Sequence, residues 1–211
     1  MLRIKRFVNQ LMESNCYVIY DDVSSSAVII DPASEKSERE IRFIDSLRLK
    51  PSYILLTHEH TDHNWGVNAL RARYPLKLVC TEDCNRNIAE ANRCYFLFYF
   101  DCPEYQYTID PGDILMNRKY CKLNWEGYWI EFILTPGHSE GSACILIGDK
   151  LFTGDTVMPF KPYFPKRGGS RELWEKSISK LMGRFEGCSL KIYPGHGEMG
   201  QLRDCLNLYK M

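Results

Sequence analysis

A short apolar run, residues 53–56, leads directly into the sequence THEHTDH at residues 57–63. A continuous apolar run of this length is typical of a strand that is buried on both faces. His58 and His60 are two residues apart, so in an extended segment their side chains leave the backbone on the same face. Asp62 and His63 follow where the chain turns toward the next helix. Imidazole and carboxylate together suit zinc, iron or manganese better than calcium or magnesium, so this segment predicts a metal site.

The other two histidines each follow a predicted strand and lie beside glycine. His138 lies in TPGHS at residues 135–139, and His196 lies in YPGHG at residues 193–197. Between them, Asp155 follows another predicted strand in FTGDT at residues 152–156. Glycine and proline let a backbone turn sharply and present a side chain at the edge of a sheet. Because all five histidines fall into this one pattern, we expect them to share one site.

The order of strands and helices predicts an α+β fold. Strands are predicted at residues 2–8, 16–20, 27–30, 53–56, 76–80, 123–125, 128–134, 143–147, 151–153 and 190–193. Helices are predicted at residues 34–49, 64–73, 82–92 and 171–182. This order fits two β-sheets packed face to face with helices outside. With 211 residues and no evident linker, a single domain over residues 1–211 is expected.

In this order, the motifs HEHTDH, PGHS, GDT and PGHG make the sequence similar to the metallo-β-lactamase-fold hydrolases, most closely to their glyoxalase II-like branch. The similarity extends from NCYVIYDD and VIIDP near the start to PGHG near the end. It implies a four-layer αββα sandwich of two mixed β-sheets. The metal ligands that it implies are His58, His60 and His138 for one ion, Asp62, His63 and His196 for a second ion, and Asp155 as the bridge between them.

The resemblance also implies a hydrolytic mechanism. Two divalent ions, zinc or alternatively iron or manganese, would lower the pKa of a shared water toward about 7 and hold the resulting hydroxide as the nucleophile. Asp62 and Asp155 are then the catalytic carboxylates. Asp155 also argues against a true β-lactamase, because antibiotic-degrading members generally lack the bridging residue. The implied small-molecule substrate carries an ester-like bond, with a thioester of the hydroxyacylglutathione type favoured.

Other functions are compatible with the same motifs. A mononuclear-iron persulfide dioxygenase, from a related branch, would hold one iron through His58, His60 or His138 and Asp155. A non-catalytic member of the same fold would bind a metabolite instead. Such members usually lack one of the metal ligands, and here every ligand is present. An RNA-processing nuclease is disfavoured by the formal net charge of zero.

Two segments depart from the family pattern. An aromatic-rich insertion at about 92–107 is interpreted as core packing, a homodimer contact or a lid over an apolar substrate group. A second segment, residues 158–170, follows Asp155 directly and is placed by the chain at the rim of the site. The substrate-binding residues predicted there are Phe160, Tyr163, Phe164, Lys166 and Arg167.

The substrate preference is predicted from the same segments. Fifteen residues follow His196, which leaves no room for the helical region that supplies much of the glutathione site in glyoxalase II. We therefore expect hydrophobic thioesters or esters to be turned over faster than lactoylglutathione.

Composition limits the expected partners and location. Lysine plus arginine and aspartate plus glutamate each number 27, a balance that does not support nucleic-acid binding. The N-terminus has no signal-peptide core, and no apolar run reaches the roughly 18 residues that cross a bilayer, so a cytoplasmic protein without a membrane partner is expected. The nine cysteines include no CxxC pair and are expected to be reduced, with Cys16, Cys144 and Cys188 as small core residues.

Overall fold

The computed structural model describes residues 1–10, 12–89, 110–166 and 168–209. The aromatic-rich insertion predicted at 92–107 and the predicted substrate-binding residue Arg167 therefore lie outside the described residues. Within the described ranges the chain forms two six-stranded sheets.

The first sheet comes from the N-terminal half of the chain. Its strands, in spatial order, are β1 (Leu2–Val8), β2 (Asn15–Asp21), β3 (Ser26–Ile30), β4 (Lys50–Leu55), β5 (Lys77–Thr81) and β6 (Ile114–Met116). The pairs β1–β2 and β2–β3 are antiparallel, and the remaining pairs are parallel. Parallel strands require crossover connections. The helices in these connections are α1 (Glu38–Ser46), α2 (Thr61–Asn64), α3 (Val67–Arg73) and α4 (Glu82–Ala89).

The second sheet comes from the C-terminal half. Its strands are β7 (Lys122–Trp125), β8 (Tyr128–Leu134), β9 (Ala143–Ile147), β10 (Lys150–Gly154), β11 (Lys191–Pro194) and β12 (Gly200–Gln201), in the spatial order β12-β11-β10-β9-β8-β7. Only β10 and β11 pair parallel among these described strands. Helix α5 (Arg171–Arg184) connects that parallel pair, and α6 (Leu202–Asn207) follows β12.

Successive residues on the central strands face different layers of the fold. On β2, Tyr17 belongs to the apolar core between the sheets, whereas Val18 belongs to the core beneath α1, α3 and α4. On β9, Ile145 lies in the core between the sheets, whereas Cys144 lies in a third core beneath α5 and α6. This follows from the two-residue period of a strand. The layers are therefore helix, sheet, sheet and helix, as predicted.

Two predicted helices differ from the observed ones. The helix predicted at 34–49 begins only at Glu38, after Ser37, whose φ of 44° is left-handed. The helix predicted at 64–73 begins only at Val67, because Asn64 ends the separate short helix α2 and Gly66 lies between the two. A Cβ at Gly66 would lie 2.7 Å from the Ser34 carbonyl oxygen, so the chain packs here more closely than another residue allows. None of the described helices has the length and apolar character to cross a membrane.

Some short elements were missing from the prediction. Strands β6 and β12 have three and two residues, too few to show a period of two. One cysteine prediction was wrong: Cys188 is exposed, because it lies in the turn between α5 and β11 rather than in a strand. Cys16 and Cys144 are buried, as predicted.

Candidate metal centre

The predicted metal ligands all follow the carboxyl ends of strands. The loop after β4 carries His58 and His60 into α2, and the loops after β8, β10 and β11 carry His138, Asp155 and His196. Although these loops come from both sheets, they meet at one edge of the sandwich. The structure brings the seven predicted side chains together as two adjacent clusters joined by one carboxylate.

The first cluster consists of three buried histidines whose ring nitrogens converge. His60 Nδ1 lies 3.1 Å from His58 Nε2 and 2.9 Å from His138 Nε2. Burial, with the charge of His138 next, lowers the pKa of His60 to about 3, and burial also places the pKa of His58 well below its ordinary value. Both rings are therefore neutral at pH 7, which is the form that binds a metal ion.

The second cluster consists of Asp62, His63 and His196. Asp62 Oδ2 lies 3.1 Å from His196 Nε2 and 3.6 Å from His63 Nε2, and the two histidine nitrogens are 3.4 Å apart. One carboxylate and two imidazoles form a mixed oxygen and nitrogen donor set. Such a set suits zinc, iron or manganese.

Asp155 lies between the two clusters. Its Oδ1 is 3.5 Å from His63 Nε2, and its Oδ2 is 3.4 Å from His138 Nε2 and 3.7 Å from His196 Nε2. The buried Oδ1 accepts no hydrogen bond from any described residue. A buried carboxylate oxygen without a partner is costly, and a cation shared by the clusters would satisfy it.

The carboxylates of Asp62 and Asp155 stabilise positive charge on the groups around them. Burial lowers the pKa of His63, but Asp62 and Asp155 outweigh that effect and raise it to about 10. Burial disfavours the ionised form of Asp62, yet the charge of His63 and the hydrogen bond from His196 hold its pKa below the ordinary value. In the protein chain alone a proton on His63 supplies the positive charge. A bound metal ion would replace it, with proton release.

Asp31, at the end of β3, orients two of the histidines, a role that sequence analysis did not predict. Its Oδ1 accepts the Thr57 N–H at 2.8 Å, and its Oδ2 accepts the Thr57 hydroxyl at 2.6 Å. Thr57 Oγ1 can therefore accept a hydrogen bond from His58 Nδ1 at 3.0 Å, and His63 Nδ1 donates to Asp31 Oδ2 at 3.1 Å. These bonds leave Nε2 of each ring for a metal. Asp31, His58 and His63 could themselves group around an ion, but both Asp31 oxygens are already engaged.

Asp31→Ala is expected to weaken metal binding about 10–100-fold, because His58 and His63 lose the partners that fix their orientation. Competition with a chromophoric chelator measures this change, and circular dichroism checks that the variant is folded. Asp45→Ala, which removes a surface carboxylate paired with Arg73, is the matched control. Unchanged metal affinity in a folded Asp31→Ala protein would contradict this orienting role.

The loop that carries His196 is fixed by the start of β2 and by glycine. Asn15 Nδ2 donates to the carbonyl oxygens of Pro194 and Gly197, each at 2.9 Å. A Cβ at Gly195 would lie 2.7 Å from His63 Cε1 and would overlap Asp155, so only glycine permits this approach. The PGHG motif therefore supplies the candidate ligand His196 and also the glycine that allows this close packing.

A cavity of about 630 Å³ opens over both clusters. Two of the predicted substrate-binding residues, Phe160 and Tyr163, line it. Phe164 does not: it packs against Trp174 in the third core, with ring centroids 5.6 Å apart. Lys166 is exposed and is also not among the described lining residues. The cavity lining that sequence analysis did not predict comprises Met12, Glu13, Thr61, Met158, Pro165 and Gly197.

Comparison with known families agrees with this geometry. The profile of the metallo-beta-lactamase superfamily matches residues 10–196. The chain belongs to that superfamily. Among solved structures, the B3 metallo-beta-lactamase BLEG-1 superposes with a TM-score of 0.85 at 24% identity, covering 97% of each chain. The protein TTHA1623, solved in a di-iron-bound form, gives a TM-score of 0.76 at 19% identity, covering 95% of this chain and 96% of that one. These likenesses confirm the predicted fold.

Relatives by sequence within the metallo-β-lactamase superfamily include named hydrolases. The "Probable polyketide biosynthesis zinc-dependent hydrolase BaeB" of Bacillus velezensis is 31% identical over 189 residues, covering 89% of this chain and 75% of that protein. The hydroxyacylglutathione hydrolase of Francisella tularensis subsp. novicida is 29% identical over 163 residues, covering 74% of this chain and 52% of that protein. Family membership, these relatives and the histidine-rich clusters support a metal-dependent hydrolase.

Proposed function

We propose that this protein is a dinuclear metal-dependent hydrolase, most simply with zinc, that cleaves thioesters or esters bearing a hydrophobic group. The observation that carries the proposal is the position of Asp155. This carboxylate lies within 3.4–3.7 Å of histidine nitrogens from both clusters. It also lines the cavity in which a substrate would meet them.

The residues of the chain have separate roles in this proposal. Two divalent ions, when bound, would lower the pKa of a shared water toward about 7 and polarise the substrate carbonyl. Asp155 contacts histidines of both clusters and would keep the two ions at a fixed separation. Asp62, ionised and lining the cavity, orients the attacking water and accepts its proton on a carboxylate oxygen. A thiol has a pKa of about 8.5, so it can leave as a thiolate without a proton donor, which supports thioesters.

The walls of the cavity support a hydrophobic, uncharged substrate group. Met12, Met158, Phe160, Tyr163 and Pro165 contribute apolar surface. The described lining residues include no lysine or arginine, and the rim carries the carboxylate of Glu13. Glutathione carries two carboxylates, which would find no cationic side chain among these residues. An apolar acyl group that buries about 60 Å² more surface would instead favour the transition state about tenfold.

Metal-replete protein is therefore expected to hydrolyse a medium-chain acyl thioester with a kcat/KM about tenfold or more above that for lactoylglutathione. The double variant Phe160→Ala with Tyr163→Ala is expected to lower this value about tenfold for the medium-chain thioester and to spare an acetyl thioester. The backbone carbonyl of Tyr163, which accepts a hydrogen bond from His138 Nδ1 at 2.9 Å, is kept in this variant.

Tyr120→Ala provides the control for this experiment, because Tyr120 is an exposed aromatic residue that does not line the cavity. A preference for lactoylglutathione that the Phe160 and Tyr163 substitutions do not change would contradict the proposed specificity. Absence of turnover with every ester and thioester, in protein shown to hold its metals, would contradict the proposed hydrolase itself.

A further inference from the structure

Glu59 lies between two ligands of the first cluster but is not among the seven predicted ligands. Its side chain is buried, with 3% of the residue exposed. Oε1 accepts a hydrogen bond from Asn87 Nδ2 at 2.7 Å, and Oε2 accepts one from Ser139 Oγ at 2.9 Å. Burying a carboxylate is costly unless it is well hydrogen-bonded, and these bonds offset that cost.

The bonds of Glu59 join two ligand loops. Its backbone is part of the loop that carries His58 and His60, while Ser139 directly follows His138. A second bond to the His138 loop comes from the Gly141 N–H, which lies 3.4 Å from Glu59 Oε1. One carboxylate therefore connects the chain segments that supply all three histidines of the first cluster.

The His138 loop is also shaped to receive this carboxylate. A Cβ at Gly141 would lie 2.6 Å from the backbone nitrogen of Cys84 and would overlap Glu59. Ser142 Oγ lies 2.8 Å from Ser139 Oγ and accepts the Ser139 N–H at 3.1 Å, so the hydroxyl that meets Glu59 has little freedom. The link is therefore rigid, and a charged acceptor makes its hydrogen bonds stronger than neutral ones.

We propose that Glu59 is a positioning residue that holds His138 in place against His58 and His60 and so sets the metal affinity of the first cluster. The inference rests on the metal centre of the proposed function. The three histidine nitrogens of this cluster come from two loops of different sheets, and the side chain of Glu59 links those loops. Residues that orient metal ligands in this way typically change metal affinity about 10–100-fold.

The two side-chain hydrogen bonds that Glu59 accepts, from Asn87 and from Ser139, provide the test. Ser139→Ala removes the hydrogen bond to the His138 loop, whereas Asn87→Ala removes a hydrogen bond that joins the same carboxylate to α4. If Glu59 acts by positioning His138, Glu59→Ala and Ser139→Ala weaken one of the two metal-binding steps about 10–100-fold. Asn87→Ala has a smaller effect on that step. Glu59→Gln, which keeps an oxygen for Ser139, restores part of the affinity.

The measurement is a Zn²⁺ binding isotherm in competition with a chromophoric chelator, together with the melting temperature of the metal-free protein. Glu40→Ala is the matched control, because Glu40 is a buried carboxylate on α1 with 2% of the residue exposed. Its removal is expected to leave both binding steps unchanged, whatever its effect on the melting temperature. Ser139→Ala keeps the test valid even if Glu59→Ala fails to fold.

Unchanged Zn²⁺ affinity in folded Ser139→Ala and Glu59→Ala proteins would overturn the proposal and leave Glu59 with a role in stability only. Because the readout is metal binding, it is independent of the substrate. A protein that binds two ions tightly but cleaves no ester would refute the proposed hydrolase while leaving this inference open to the same measurement.

Discussion

Removal of the bound metals is expected to lower hydrolysis by at least about 10³-fold, because the attacking water and the substrate carbonyl both lose their activation. Stability is expected to fall as well, since a ligand present at 100 times its dissociation constant contributes about 2.7 kcal/mol to the free energy of unfolding. In the metal-free protein the carboxylates of Asp62 and Asp155 both lie near His196 Nε2, at 3.1 and 3.7 Å, with no metal ion to neutralise them. Dialysis against a chelator, followed by activity and melting measurements, tests both effects.

Back-titration identifies the number and nature of the ions. With two occupied clusters, activity returns in proportion to the metal added and reaches its maximum near two equivalents of zinc, iron or manganese per chain. Full activity in the presence of chelator would exclude a metal-dependent mechanism. Saturation at one equivalent of iron, with oxygen consumed in the presence of a persulfide, would instead identify the dioxygenase alternative.

Asp155→Ala is expected to reduce kcat on the order of 10³-fold, even where the fold is retained. One carboxylate contacts His63 through Oδ1 and His138 through Oδ2, and in a two-metal site it would keep the ions about 3.5–4 Å apart. Alanine removes both contacts. Asp62→Ala is expected to behave similarly, because it removes a ligand of the second cluster and the group proposed to accept the proton.

Metal content must be measured alongside kcat, so that loss of an ion is separated from loss of its bridge. Asp149→Ala is the control: Asp149 immediately precedes β10, the strand that leads to Asp155, and its side chain is 86% exposed. We expect its kcat to match that of the wild type. Near-normal turnover by Asp155→Ala with two bound metals would show that this carboxylate is not the catalytic bridge.

Local pattern predicted that the five histidines share one site, and the family resemblance sorted them, with Asp62 and Asp155, into two ligand sets. His58 and His60 are brought to one face by the two-residue period of an extended chain, and the structure places their nitrogens 3.1 Å apart. The positions of His138 and His196 after predicted strands, with glycine beside each, indicated loops at a sheet edge. The sequence shows which residues follow strand ends because the end of a strand is determined by a few neighbouring residues and not by the rest of the fold.

The contacts that hold those ligands could not be predicted in the same way. Asp31 is 26 residues from Thr57 and 32 residues from His63, and Glu59 is 80 residues from Ser139. The Asp31 pairs form when β3 and β4 pair within the first sheet, and the Glu59–Ser139 pair forms when the two sheets pack, so no short motif records either. The predicted role of Phe164 shows the same limit. Phe160 and Tyr163 face the cavity while Phe164 packs on Trp174, because the backbone direction at each position decides which way a side chain points.

The sequence by itself determined the class of fold and the strand ends that carry the histidines, because periodicity and turn residues act over a few positions. The order of its motifs, through the family resemblance, determined the candidate metal ligands. Tertiary structure alone decided that Asp31 contacts Thr57 and His63 and that Glu59 contacts Ser139 beside His138. It also decided that Met12 and Glu13, from the loop between β1 and β2, reach the rim of the cavity. The contacts of Asp31 depend on the pairing of β3 with β4. The other features depend on how the loops of two sheets approach one another, which is set by the apolar core between the sheets.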